Sequence, residues 1–372
     1  MHHDRSAPLD GMVVASGYGL KIYVERGHLM VNDGVGRDRR TLRLSRATSR
    51  LQRLVVIGHT GYVTLEALRW IRDIGSSFVQ IGLDGEVITI SSAERFHNTK
   101  LRRAQALAAD TGRGLQAMRP LAGAKLEQQV ARVEALPQLW PAKPNGGQGQ
   151  VQVGPVIRRE LAKLTTSDSL ETLRACEAVA GRWYWQTLAG LPVSFAANWR
   201  ESVPSHWHTA GARTSPPSGF KSSRKAATPF HALINYGYAI LETEATIVLQ
   251  AHGFDPGMGI LHTDKRYRGS LAHDLMEPLR PVVDGLVIQL VENHTLARGD
   301  VYETREGVCR IGPPLGRMLA EEASALRQPL HRHARVLANV LADGKANTPT
   351  RKRSTVTAGK GGKRQVTARA LT

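Results

Sequence analysis

Residues 253–284 read GFDPGMGILHTDKRYRGSLAHDLMEPLRPVVD, and the reading of this stretch decides the fold of the longest part of the chain. A loop dense in Gly and Pro delivers His262. Lys265, Arg266 and Arg268 follow, and Ser270 then opens a helix carrying Asp274 and Glu277. A three-residue spacing sets both carboxylates on one helix face. One imidazole and two carboxylates beside a cationic strip suit a divalent metal next to phosphate, because hard cations favour oxygen ligands and keep waters for substrate. The same residues also fit a solvated helix start, where acidic side chains complement the N-terminal dipole.

Outward from this stretch the pattern stays helical. Helices are expected over 169–190, 231–252, 270–296 and 315–341, with Leu101, Ala104, Leu107 and Ala108, and then Leu126, Val130 and Val133, marking earlier helical faces. Pro278 and Pro281 are expected to bend the helix between Asp274 and Asp284, which makes a capping or structural role the better reading for Asp284. In the helix over 169–190, Asp168 and Glu171 read as a capping box. Glu177 shares its arc with Leu170, Leu173, Ala180, Tyr184 and Leu188. A carboxylate in an apolar arc is costly to bury unless it is hydrogen-bonded, paired or bound to metal; an ion pair with Arg174 or Arg182 is the plain alternative.

Residues 11–95 read differently. Leu20, Ile22 and Val24 alternate with polar neighbours, RLVVI (53–57) has the pattern of a buried strand, and Asp84-Gly85 is a hairpin signal between SFVQIG and EVITI. Thr64 caps a short helix, EALRWIRD. The fold class is therefore α+β and multidomain, with a β-rich domain over 1–96, a larger all-α domain over 97–342 and a basic tail over 343–372 whose composition is that of a disordered segment.

The 372 residues carry 50 Lys and Arg against 32 Asp and Glu, a net charge of +18. Residues 345–372 contribute eight of the cations and no acid, so the remainder keeps 42 against 32, or +10. Both parts favour a polyanionic partner. Removing 345–372 should therefore leave binding to such a polyanion in place but make it weaker and less steeply dependent on salt, because fewer counterions are released. A salt titration of both forms, with thermal melts alongside, checks this. Two cysteines without a CxxC pair argue against a disulfide framework or zinc ribbon, and with no signal-peptide or membrane-span pattern the expected location is cytoplasmic. No GxxxxGK[ST] supports ATP hydrolysis, and no nucleophile elbow supports a covalent serine mechanism. The pairs His206/His208 and His331/His333 lack carboxylate companions.

The blocks HALINYGYAIL (231–241), GFDPGMGILH (253–262) and SLAHDLMEPLRPVVD (270–284) together resemble the CRISPR-associated integrase/endonuclease family of spacer acquisition. Weaker likeness runs over most of 11–330. His231 departs from the family pattern, which commonly has Asn there. The resemblance implies a metal-dependent DNA integrase and endonuclease, in which the 3′-hydroxyl of a short foreign DNA attacks a phosphodiester of a CRISPR array. It implies Glu177, His262 and Glu277 as ligands of Mg²⁺ or Mn²⁺, with Asp274 supportive, and Lys265, Arg266, Arg268, Arg224 and Lys225 as DNA contacts. It also implies double-stranded DNA as partner, a homodimer formed through the N-terminal domain, and a small ferredoxin-like companion protein. A transposon-borne integrase of the same chemistry and a catalytically silent DNA-binding subunit are the alternatives.

Overall fold

Three strands with mostly apolar sequences form the middle layer of the N-terminal part. β1 (Met12–Ser16), β5 (Arg53–Ile57) and β7 (Ser77–Ile81) run parallel, and β8 (Val87–Ser91) closes one edge antiparallel to β7. The computed structural model describes residues 11–92, 97–143, 148–213, 225–262, 264 and 268–342. The basic tail, Arg224, Lys265 and Arg266 lie outside the described residues.

Continuous apolar runs mark a sheet covered on both faces, and the period of two divides them cleanly. Val13, Ala15, Leu54, Val56 and Phe78 face a smaller core shared with Trp70 and Ile71 of α1 (Leu65–Asp73) and with a second sheet. That sheet has the order β4-β3-β2-β6, built from β2 (Leu20–Glu25), β3 (His28–Asp33), β4 (Arg40–Leu44) and β6 (Gly61–Val63). Met12, Val14, Val55, Ile57, Val79 and Ile81 face the other way, into the main core formed by the helices. The Thr64 side chain caps α1 by accepting from the Ala67 amide at 3.1 Å. Arg26 and Gly27, both at positive φ, turn β2 into β3, and Gly85 at φ 75° turns β7 towards β8.

The remainder is mostly helical: α2 (Thr99–Ala106), α3 (Gly112–Glu134), α4 (Val153–Thr165), α5 (Leu170–Leu188), α6 (Pro229–His252), α7 (Ser270–Met276), α8 (Arg280–Asn293), α9 (Pro313–Glu322) and α10 (Arg327–Leu341). α6 is buried along most of its length and packs against α7, α8, α9 and α10. No helix among the described residues is long and apolar enough to cross a membrane.

Four local expectations are corrected. The helical part is not wholly α, because β9 (Val301–Glu303) and β10 (Cys309–Ile311) form an antiparallel hairpin whose three-residue strands are too short to show a period. α4 went unread because Gly154 and Pro155 open it, although Val153, Ile157, Glu160 and Leu164 share a buried face and proline is tolerated in a first turn. α5 is capped by Ser169, which accepts from the Thr172 amide at 3.1 Å, and not by Asp168. The helix expected over 270–296 is broken by a 3₁₀ turn at Glu277–Leu279. Pro278 and Pro281 lack the amides that would bond the carbonyls of Asp274 and Glu277, so the α-ladder cannot run through.

Two buried ion clusters join the layers. Arg53 of β5 pairs with Glu244 of α6, each side chain only 2% exposed. Asp33 at the end of β3 accepts from the Ser16 amide at 3.1 Å and pairs with Arg40 at 2.7 Å and with Arg317 of α9 at 2.5 Å.

Candidate metal centre

The break in the helix positions the site. Gly253, at φ 88°, ends α6 in the left-handed conformation and sends the chain into the loop 254–262. Gly259 must stay bare, because a Cβ there would collide with the His262 carbonyl oxygen and the Ser270 side chain. That close approach seats the loop against α7.

Asp274 then gathers the loop. Its Oδ2 accepts from the amides of Ile260 at 2.7 Å and Leu261 at 3.0 Å, and its Oδ1 accepts from the His262 amide at 2.9 Å. The same Oδ1 lies 2.6 Å from His262 Nδ1, leaving Nε2 on the far side of the ring. Nε2 is 3.7 Å from Glu277 Oε1. Asp274 is fully buried and is spent on the loop. The solvated-helix reading does not hold for either carboxylate, since Glu277 is buried as well.

Glu177, on α5, approaches from the other side. Lys125 of α3 stands between the two glutamates, its Nζ 2.6 Å from Glu277 Oε2 and 3.2 Å from Glu177 Oε1. Arg280, in the first turn of α8, lies 3.1 Å from Glu277 Oε1. Desolvation works against the Glu277 carboxylate, but Arg280, Lys125 and His262 outweigh it and hold its pKa down at about 2. Burial raises Glu177 instead, with Lys125 only partly offsetting it and the Glu277 charge adding to the rise. Burial is also the chief effect on His273, which with Arg280 is pushed to about 3; the neutral ring takes a hydrogen bond from Arg280 at 3.1 Å.

As placed, no three His, Cys, Asp or Glu side chains among the described residues close around a single ion. The donor chemistry nevertheless fits a divalent cation. Two carboxylates and a ring nitrogen, the latter oriented by a carboxylate behind it, converge from helix, turn and loop, and a positive group, the Lys125 ammonium, already stands between the carboxylates. Arg174 and Arg182 do not pair with Glu177: Arg174 donates to the Leu261 carbonyl at 2.7 Å and Arg182 lies over the Trp183 ring.

The expected DNA contacts are placed less uniformly. Arg268 is half-buried, with Nε 3.4 Å from Ser270 Oγ. Lys225 lies 3.3 Å from Glu306 in an exposed pair of small energetic weight. Of the other histidines, His206 reaches the Ala227 carbonyl at 3.1 Å and His331 lies 3.1 Å from His252.

A model of the family described as CRISPR associated protein Cas1 matches residues 13–323. The chain belongs to the Cas1 family. An Archaeoglobus fulgidus protein named CRISPR-associated endonuclease Cas1 1 is 26% identical over 319 residues, covering 82% of this chain and 85% of the relative. Among solved structures, the fold is similar to that of a casposase bound to integration product, with a TM-score of 0.70, 22% identity and coverage of 90% of this chain and 91% of that one. It is also similar to a chain of a Cas6-RT-Cas1–Cas2 complex, with a TM-score of 0.62, 19% identity and coverage of 93% of this chain and 36% of that one.

In this Cas1-family chain the sequence pattern missed Lys125 and Arg280. Lys125 was detectable in principle: Leu121, Ala122 and Gln129, three and four positions away on α3, are all buried, so the lysine lies on an inward face. Asp284 holds its structural role, accepting from the hydroxyls of Tyr184 and Tyr238 at 2.7 Å each. His231, in place of the family's Asn, costs α6 no cap, because Thr228 accepts from the His231 amide.

Two predictions follow the geometry. Asp274→Asn keeps the shape but removes one charged acceptor from a group that serves three amides and a ring. Such supporting partners usually matter by about 10–100-fold in metal affinity or activity, and orphaned amides cost about 1–3 kcal/mol. Mn²⁺ titration and urea unfolding of the variant read the two effects separately.

Burial pushes Asp284 from 3.8 to about 6, against the hydrogen bonds of Tyr238 and Tyr184. The folded state thus binds this proton more tightly than the unfolded chain. Its contribution is present in full below pH 4 and is lost as pH rises through 6. Asp284→Asn should remove a stability loss of up to about 3 kcal/mol across that window. Urea midpoints of parent and variant at pH 4 and pH 7 test it.

Proposed function

We propose that this chain is a metal-dependent DNA integrase and endonuclease that inserts short foreign DNA into a CRISPR array. The observation that carries the reading is the convergence of Glu177 of α5 and Glu277 of the 3₁₀ turn on the Lys125 ammonium, with His262 of the loop after α6 lying 3.7 Å from Glu277. The curated relative's name and the family assignment agree with it.

Glu177, His262 and Glu277 would hold Mg²⁺ or Mn²⁺, which supplies Lewis acidity at the scissile phosphate and its leaving oxygen. The protein's own part is placement and charge. Asp274 orients the His262 ring through Nδ1 and fixes the loop that carries it. Arg280 holds the Glu277 carboxylate in position, while Lys265, Arg266, Arg268, Arg224 and Lys225 offset the flanking phosphates. In the reaction, the 3′-oxygen of the incoming strand bonds to the repeat phosphorus as the bond to the repeat's own 3′-oxygen breaks. The attacking hydroxyl gives up its proton, and the departing 3′-oxygen takes one up. The proposed partners are duplex DNA, as fragment and as array, a second copy of the chain, and a small ferredoxin-like companion protein; the name of one solved complex sets Cas2 beside Cas1.

The experiment is a strand-transfer assay with a supercoiled plasmid carrying a repeat array, a short duplex, and Mg²⁺ or Mn²⁺. Joined product at the repeat, lost in chelator, is expected. Joining with no regard for the repeat points to a transposon-type integrase of the same chemistry, and binding without joining in either metal overturns the enzymatic reading.

A further inference from the structure

The Lys125 ammonium occupies the place where the two glutamates converge, and it has not been assigned a part in the chemistry. Both of its contacts are at ion-pair distance, with Nζ 2.6 Å from Glu277 and 3.2 Å from Glu177. Its side chain keeps 16% of its surface exposed. An ammonium held at ion-pair distance by two carboxylates is the cation at this position.

We propose that Lys125 is a resident counter-ion which a divalent metal must displace, and that it thereby sets the affinity of the site. This rests on the reading that Glu177, His262 and Glu277 hold a metal.

Two arguments carry it. The first is space. Hard divalent ions sit about 2.0–2.6 Å from carboxylate oxygens, and an ammonium already lying between the same two carboxylates cannot share that position. Its flexible four-carbon stem lets it leave without moving α3, which a rigid guanidinium fork would do less readily.

The second argument is charge. Glu177, Glu277 and Asp274 supply three negative charges, and Lys125 and Arg280 supply two positive ones. One divalent ion that displaces Lys125 changes the balance from −1 to 0, so the metal takes over the neutralising task of the ammonium. A second ion would take it to +2 in a partly desolvated site, where like charges repel. Arg280 stays on Glu277 from its own helix, which leaves Lys125 as the cation to move.

The test uses the full-length protein without DNA, and Mn²⁺ as the probe. Free Mn²⁺ is followed by electron paramagnetic resonance in titrations of the parent, Lys125→Met and Lys125→Gln, with thermal melts in chelator and in Mn²⁺. The parent should bind one Mn²⁺ per chain. Both variants should bind the first ion at least about tenfold more tightly, as expected when a unit positive charge beside the site is removed. They should melt lower than the parent in chelator and gain more from Mn²⁺, because the carboxylates are left without their counter-ion.

Lys125→Gln decides the matter if the Met variant does not fold. Folded variants with unchanged or weaker Mn²⁺ affinity overturn the proposal while leaving the metal site standing. A parent that binds no Mn²⁺ overturns the metal site itself, and the role of Lys125 with it.

Discussion

Glu277→Gln should abolish strand transfer while leaving duplex binding within a few-fold of the parent. The substitution keeps size and hydrogen-bonding shape but removes a buried charge that Lys125, Arg280 and His262 all address. If that carboxylate holds the catalytic ion, several kcal/mol of transition-state stabilisation disappear, about a thousandfold in rate or more. Binding should persist because it is distributed over many phosphate contacts, whereas the chemistry depends on one site. Glu177→Gln and His262→Ala should match it, and single-turnover assays with a parallel gel-shift titration measure both quantities. A Glu277→Gln variant that joins DNA at the parental rate removes Glu277 from the site.

The second large effect is on stability. Arg53 and Glu244 form a pair with both side chains almost fully enclosed, between the middle sheet and the central helix. Burial raises the pKa of Glu244, and the Arg53 charge pulls it back. Removing one partner, as in Arg53→Met, strands the other charge and should cost about 3–5 kcal/mol. The double variant Arg53→Met/Glu244→Leu should recover much of this loss, since apolar replacements of similar volume are often neutral. Denaturant unfolding of the three proteins gives the coupling directly, and additive losses would show that the pair does not act as a unit.

Much of the architecture could be read before any coordinates. RLVVI announced a strand covered on both sides, Thr64 announced a helix start, and Asp84-Gly85 announced a turn, because each depends on residues next to one another. The order of N-terminal strands followed by a mostly helical region came from the same local signals. The interior of the site was less legible. His262, Asp274 and Glu277 stood out by type and spacing and Glu177 through the family resemblance, but the task of Asp274 depends on where the loop returns, and that is set by Gly253, Gly259 and the packing of α6 on α7. Lys125 is 52 residues from Glu177 in sequence, and no periodicity links positions so far apart. α4 and the β9–β10 hairpin escaped for the opposite reason, since their local signals were masked by a glycine-proline start or were too short.

The bonds from Asp274 to residues 260–262 also bear on how the loop moves. This segment has no helix or strand to protect it, yet three consecutive amides are fixed to a carboxylate with no solvent exposure. Their hydrogens can exchange with solvent only when α7 separates from the loop, so they belong with the slow-exchanging centre of the protein and not with its surface turns. The imidazole is therefore held on a rigid support before any ligand arrives, and little ordering entropy remains to be lost when one binds.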